Sequence, residues 1–428
     1  MRRAFWALGA STRLDVKLSA LVPLASSRSR AGAEEWTDLD VLAVEYIPIG
    51  GLATAVADCK TTRGAATERV FWLRGVADLF GARAAYLTRG GAVPAGTRQL
   101  AVQLDVCVMD DGDRAEFSKQ GGEERLPTTG HFFEEATVRR WMDIISTEPQ
   151  GTNALQRYRR ALYWVFPKYR NLTQLPLYAR EARSQLRATD RWAQAIVVDL
   201  SWLYLLSVLY AVDETTKFNL GQLGSALRQV TVGGEHEVRE RDQLKVQIRR
   251  LVEHFEPEPG RRPAEPDLVP SFFEDLTDLV ARASRRRQHA TEALRVLEFT
   301  GVETILGRGS SWKESFPSYD AYAVKLASDT VRFLCRAAEL DMRFLDIFDR
   351  TVEGERRPDK NVRALPGAPV EQTLDPGMRD AGNAALEAED LALIVREGEE
   401  AAAVPSGPPL DAEQASLFGG GDGGTPGE

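Results

Sequence analysis

The chain has 428 residues, a hydrophobic share of 43% and a formal net charge of -9, enough for two or three domains with packed cores and too large for a disulfide-stapled mini-protein. The acidity is local: residues 351–428 carry 16 Asp/Glu against 6 Lys/Arg, whereas residues 1–118 carry 14 of each, so the overall charge does not exclude nucleic acid as a partner. Cys59, Cys107 and Cys335 are odd in number and form no CxxC pair, which argues against a cysteine-rich zinc site and for a reducing, cytoplasmic compartment.

In chain order, the start is apolar, but Arg13, Asp15 and Lys17 interrupt it too early for a signal peptide. "RAFWALGA" reads as a short helix. "LDVKLSALVPLA", "LDVLAVEYIPI" and "LATAVADCKT" read as strands. "TERVFWLRGVADLFGA" has helical spacing, followed by the strand "AAYLT", the helix "AGTRQLAVQL" and the strand "DVCVMD". Residues 1–118 therefore predict an α/β domain, a sheet covered by helices. Residues 119–129, "KQGGEERLPTT", have linker composition.

Residues 130–350 carry helical periodicity throughout and predict an all-α domain. Within them "AIVVDLSWLYLLSVLYAV" has the length of a membrane span. Its one charge, Asp199, would be costly in lipid, so the expectation is a buried central helix and no membrane. Residues 351–428 are rich in Gly, Pro, Glu, Asp and Ala and predict a disordered acidic tail, with "ALEAEDLALIVREGEEAAA" a candidate short helix.

Asp58 and Lys60 end one strand two residues apart, so they share a face, and Asp40 lies in the preceding apolar strand. If the strands are neighbours, two carboxylates meet, which repel unless a cation lies between them. Oxygen ligands of this kind suit Mg²⁺ or Mn²⁺. A lysine beside the metal can orient a water or offset charge on a phosphate.

The order "TDLDVLAV…ATAVADCKTTRG" resembles the PD-(D/E)XK, or restriction-endonuclease-like, nuclease superfamily over residues 1–118. The resemblance implies an α-β-β-β-α-β core in which Asp40, Asp58 and the Cys59 backbone carbonyl hold the metal and Lys60 assists the attacking water. Two departures stand out. Leu39 replaces the proline before Asp40, and "RRAFWALGA" lacks the glutamate that many members carry on the first helix. Glu34, Glu35 or Asp38 would have to supply a further acid.

Candidate phosphate contacts are Arg63 and, in a basic and aromatic stretch, Arg157, Arg159, Arg160, Lys168 and Arg170. Tyr158, Tyr163 and Trp164 could stack on bases. The competing reading, a helical bundle with solvated arginines and core aromatics, is slightly favoured. "RASRRRQH" loosely matches the ribonuclease pattern of HEPN domains, with Ala283 where a polar residue is usual. In the tail, Gln414-Ala415-Ser416-Leu417-Phe418 resembles the peptide by which bacterial repair proteins bind the sliding clamp, with Leu417 and Phe418 free to fill an apolar pocket and Gln414 free to hydrogen-bond.

The expectation is a Mg²⁺-dependent nuclease that hydrolyses DNA in repair, replication-linked processing or defence. The alternatives are a catalytically inactive nuclease-fold protein that binds DNA or regulates, and a defence nuclease that cuts RNA or is activated only by a partner.

Overall fold

Alternating apolar side chains over residues 11–60 form three long strands, and helical spacing from residue 66 onward forms the cover. A computed structural model of the chain describes residues 1–23, 31–60, 66–128, 130–217, 222–255, 269–306, 310–316 and 318–354. Arg63, the acidic segment after Gly354, its candidate helix and the peptide with Gln414, Leu417 and Phe418 lie outside the described residues. The described residues other than Val22, Pro23, Ala31 and Gly32 fall in one structural unit.

The first half runs α1 (Arg2–Ala7), β1 (Ser11–Pro23), β2 (Ala31–Ile47), β3 (Gly51–Lys60), α2 (Ala66–Phe80), β4 (Ala84–Arg89), α3 (Ala95–Gln103), β5 (Val106–Met109) and α4 (Asp111–Lys119). Among the described residues the five strands form one mixed sheet in the order β1-β2-β3-β4-β5. β2 and β3 are antiparallel, in register from Ile47–Gly51 to Val41–Ala57. β3, β4 and β5 are parallel, because α2 and α3 each carry the chain back across the sheet before the next strand starts.

The sheet has two different faces. On one, Val41, Ala43 and Ala57 pack with Phe5 of α1, Tyr86 of β4 and Phe117 of α4. On the other lies α2, whose buried Val70, Leu73 and Ala77 recur at helical spacing. That second face carries Asp58 and Lys60. α4 starts on a capping box in which Asp110 and Asp113 each accept the other's backbone N–H.

The segment read as a linker is fastened down where it is described. Gly122 N–H bonds to the Ala7 carbonyl at 3.0 Å and Arg125 Nη1 donates to the Leu8 carbonyl at 2.7 Å. A Cβ on Gly121 would stand 2.4 Å from that of Ala7. Gly121 thus allows close packing against α1, which composition alone does not distinguish from slackness.

The helical half is built on the helix Arg191–Thr216. It is long and apolar enough to cross a membrane, yet 94% of its most apolar stretch is buried inside the protein. Its one central charge, Asp199, meets two guanidinium groups: Arg13 Nη1 of β1 at 2.9 Å and Arg159 Nη1 at 2.9 Å. Burial alone would raise the Asp199 carboxyl, but the two arginines outweigh it and hold it below the usual carboxylate range.

A second carboxylate joins the halves. Glu298, on the helix Ala290–Leu306, accepts from Arg2 Nη2 at 3.0 Å, Trp6 Nε1 at 2.9 Å, Ser11 Oγ at 3.0 Å, and Thr12 N and Oγ1 at 2.7 and 2.6 Å. Trp202 Nε1 of the central helix donates in turn to Ser11 Oγ at 3.0 Å.

Two outcomes are expected in denaturant unfolding. Glu298→Ala lowers stability by about 3–5 kcal/mol, the cost of stripping a buried charge network of its acceptor. Gly51→Ala lowers it by about 1–2 kcal/mol: Gly51 has φ +75, and an added Cβ would meet Asp213 Oδ2 at 2.7 Å, the oxygen that accepts from Leu52 N.

Candidate active site

The β2–β3 pairing ends at Val41–Ala57, so the next residues outward, Asp40 and Asp58, come side by side at one edge of the sheet. Alternation puts Asp40, Asp58 and Lys60 on one face, the face under α2. Lys60 Nζ reaches both acids, at 3.1 Å from Asp58 Oδ1 and 3.6 Å from Asp40 Oδ2. Asp58 is buried, at 3% exposure, while Asp40 and Lys60 remain partly open to solvent. The three residues named from sequence spacing are therefore neighbours.

Sequence reasoning missed the fourth member. Arg69, in the first turn of α2, grips Asp58 with two parallel bonds, Nε to Oδ2 and Nη2 to Oδ1, both 2.7 Å. Its guanidinium carbon lies 3.4 Å from the centroid of the Trp72 ring. A signal was present: a cation in the first turn of a helix opposes the macrodipole, so an arginine there calls for a local acid.

The electrostatics follow from this fork. Burial raises the Asp58 carboxyl, but hydrogen bonds from Arg69 and Lys60 outweigh it and hold it below its ordinary range. Asp40 goes the other way: burial raises it, more than the Cys59 N–H and Lys60 lower it. Cys59 N–H donates to Asp40 Oδ2 at 2.5 Å. Lys60 O accepts from Gly90 N on the β4 side. Backbone groups alternate sides along a strand, so the Cys59 carbonyl lies on the Asp40 side.

Two carboxylates and a carbonyl at one sheet edge are a donor set that suits a hard divalent cation. The two acids are at present balanced by two side-chain cations, and Arg69 engages both oxygens of Asp58. A metal held by Asp58 must share an oxygen with that fork. Of the further acids read from the sequence, Glu35 is paired with a lysine of β1. Glu35 Oε1 sits 3.3 Å from Lys17 Nζ, and among the described residues no group of three or more His, Cys, Asp or Glu gathers to hold an ion.

The other sequence candidates separate by burial. Arg159 is only 2% exposed and is spent on Asp199, Gln156 and the Ile145 carbonyl, so it is a core residue and not a phosphate contact. Tyr158 and Tyr163 are core residues as well, bonded to Asn171 and to Leu203 and Ser207. Arg160 pairs with Glu148 at 3.2 Å. Arg157 and Arg170 are partly exposed and Lys168 is exposed. In "RASRRRQH", Arg282 and Arg286 face the buried Asp329, and His289 Nδ1 meets Asp320 Oδ2 at 2.7 Å.

Asp58 titrates lower in the folded protein than in the unfolded chain. Its contribution to stability is therefore present at neutral pH and lost as pH falls through its folded-state range. Arg69→Met is expected to destabilise the protein by about 1–3 kcal/mol at neutral pH, the worth of hydrogen bonds to a charged group. The gap to wild type closes in acid as Asp58 protonates, which denaturant unfolding at several pH values reads directly. No family model matches the chain, and neither a curated protein nor a solved structure matches it.

Proposed function

We propose that the chain is a metal-dependent nuclease of the restriction-endonuclease-like kind, cutting DNA at the edge formed by β2 and β3. The observation that carries this is Lys60, whose ammonium spans Asp40 and Asp58 on adjacent strands. The order helix, three strands, helix, strand supports it as well. Asp40, Asp58 and the Cys59 carbonyl would hold Mg²⁺ or Mn²⁺. When bound, such an ion polarises a phosphoryl oxygen and lowers the pKa of a coordinated water.

The chain's own residues do the rest. Lys60, held between the acids, presents its ammonium to the phosphate and offsets the charge that builds there. Asp40, the more open acid, can accept a hydrogen bond from the attacking water. Arg69 keeps Asp58 in one orientation, and Trp72 backs the guanidinium.

A second reading rests on the same arginine. If Arg69 holds Asp58 permanently, the fold binds DNA without cutting it, and the sheet edge serves recognition alone. Cutting of RNA and not DNA would select the RNA-cleaving defence nuclease. A tether to a sliding clamp through Gln414, Leu417 and Phe418 stays part of the proposal on sequence grounds.

The test is cleavage by the purified full chain on DNA and RNA in Mg²⁺ or Mn²⁺. Asp58→Ala and Lys60→Ala are each expected to slow cleavage by about 100-fold or more. Cleavage unchanged in both variants overturns the assignment. Retention of DNA in a gel shift with no metal-dependent cutting selects the second reading.

A further inference from the structure

The sheet face that carries Asp40, Asp58 and Lys60 has a second feature at its other end. The register continues along it through Leu42–Val56 to Val44–Thr54. There Leu42 and Thr54 form the floor of a cavity of about 390 Å³ whose walls include Trp36, Phe80, Trp164 and Tyr210, with Lys168 in its lining. The volume falls within the about 300–1,000 Å³ usual for small-molecule sites.

α2 ties the two places together. Arg69 of its first turn holds Asp58, and Phe80, its last residue, lines the cavity. Thr54 and Asp58 are four residues apart on β3, a distance of about 13 Å. That equals the rise of about four stacked nucleotides at 3.4 Å each, and fewer in a stretched strand.

The lining has the chemistry of a base site. Indole and phenol rings offer flat faces for stacking, and every nucleobase has a π-face to match. Trp36 is 55% exposed although the cavity is there to cover it. Phe80 and Trp164 already lie 5.9 Å apart, centroid to centroid, as two adjoining walls. Lys168 is exposed and pairs with no carboxylate among the described residues; its Nζ stands 5.6 Å from the Tyr210 ring. A cation beside an aromatic pocket fits a base that carries a phosphate.

We propose that this cavity receives a nucleobase of the strand that crosses the acid edge, with Lys168 on an adjoining phosphate. The inference rests on the nuclease reading for its substrate, though not for its binding test. It makes the pocket the place where the enzyme takes hold of its strand, a few nucleotides from the scissile bond.

The experiment uses the full chain in EDTA, so that nothing is cut, and a fluorescent single-stranded oligonucleotide in which one abasic position is walked along the strand. One abasic position is expected to weaken binding by about tenfold or more, in line with base–aromatic stacking. Trp36→Ala binds the intact strand about tenfold more weakly and no longer senses that position. Lys168→Ala lowers the salt slope by about one, a second readout should Trp36→Ala fold poorly. If both variants bind like wild type, or no abasic position matters, the pocket is not a base site. A mononucleotide that quenches tryptophan fluorescence in wild type and not in Trp36→Ala, and that the oligonucleotide fails to displace, also overturns the proposal, in favour of a free effector. An intact abasic pattern in a protein that cuts nothing in Mg²⁺ supports the pocket while removing the nuclease chemistry.

Discussion

The carboxylate of Glu298 accepts from Arg2, Trp6, Ser11 and Thr12 while nearly removed from water. An ionised carboxylate without partners there would cost several kcal/mol, so the helix Ala290–Leu306 can be buried only with the N-terminal segment in place. Asp199 imposes the same condition from the central helix, through Arg13 on one side and Arg159 on the other. The start of β1 is thus set by two acids that belong to the helical half. β2 lies beside β1 in the sheet, and the β2–β3 register places Asp40 beside Asp58.

The sheet then divides its labour by face. The side against α1 and α4 is apolar and closed, with Phe5, Tyr86 and Phe117 in edge-on or tilted contact. The side under α2 carries charge at one end and aromatic rings at the other. A parallel connection makes this arrangement possible. The helix between β3 and β4 must run back along β3, so its first turn meets the strand's C-terminal acid and its last turn meets the strand's beginning. One rigid helix therefore sets the spacing between two patches of different chemistry.

Strands and helices in the first half were legible because their periods, 2 and 3.6, are local properties, except for α4, a polar run with no fully buried residue to set a period. Asp40, Asp58 and Lys60 were legible because alternation and strand order suffice to put them together. Arg69 was not, since its meeting with Asp58 depends on how α2 lies over the sheet, which no local spacing encodes. Arg159 misled for a related reason. In a run of arginines the one turned inward is chosen by a distant acid, Asp199, forty residues on. The glycines before Arg125 have linker composition, and only the nearness of Ala7 shows that Gly121 serves close packing. Trp36 stands out in no sequence pattern, because an exposed ring has meaning only once a cavity is found behind it.

The shared carboxylates also bear on how such a protein can change over evolutionary time. A catalytic sheet that folds by itself can be traded among different partners by gene fusion. Here a sheet separated from its helices would carry the donors of Arg2, Trp6, Ser11, Thr12 and Arg13 with no acid to receive them, and the helices would retain Glu298 stripped of these donors and Asp199 with Arg159 alone. Recombination between the two halves would succeed only with a partner that presents acids at both places. The pairing of this sheet with these helices is accordingly one that drift can decorate but shuffling cannot easily undo.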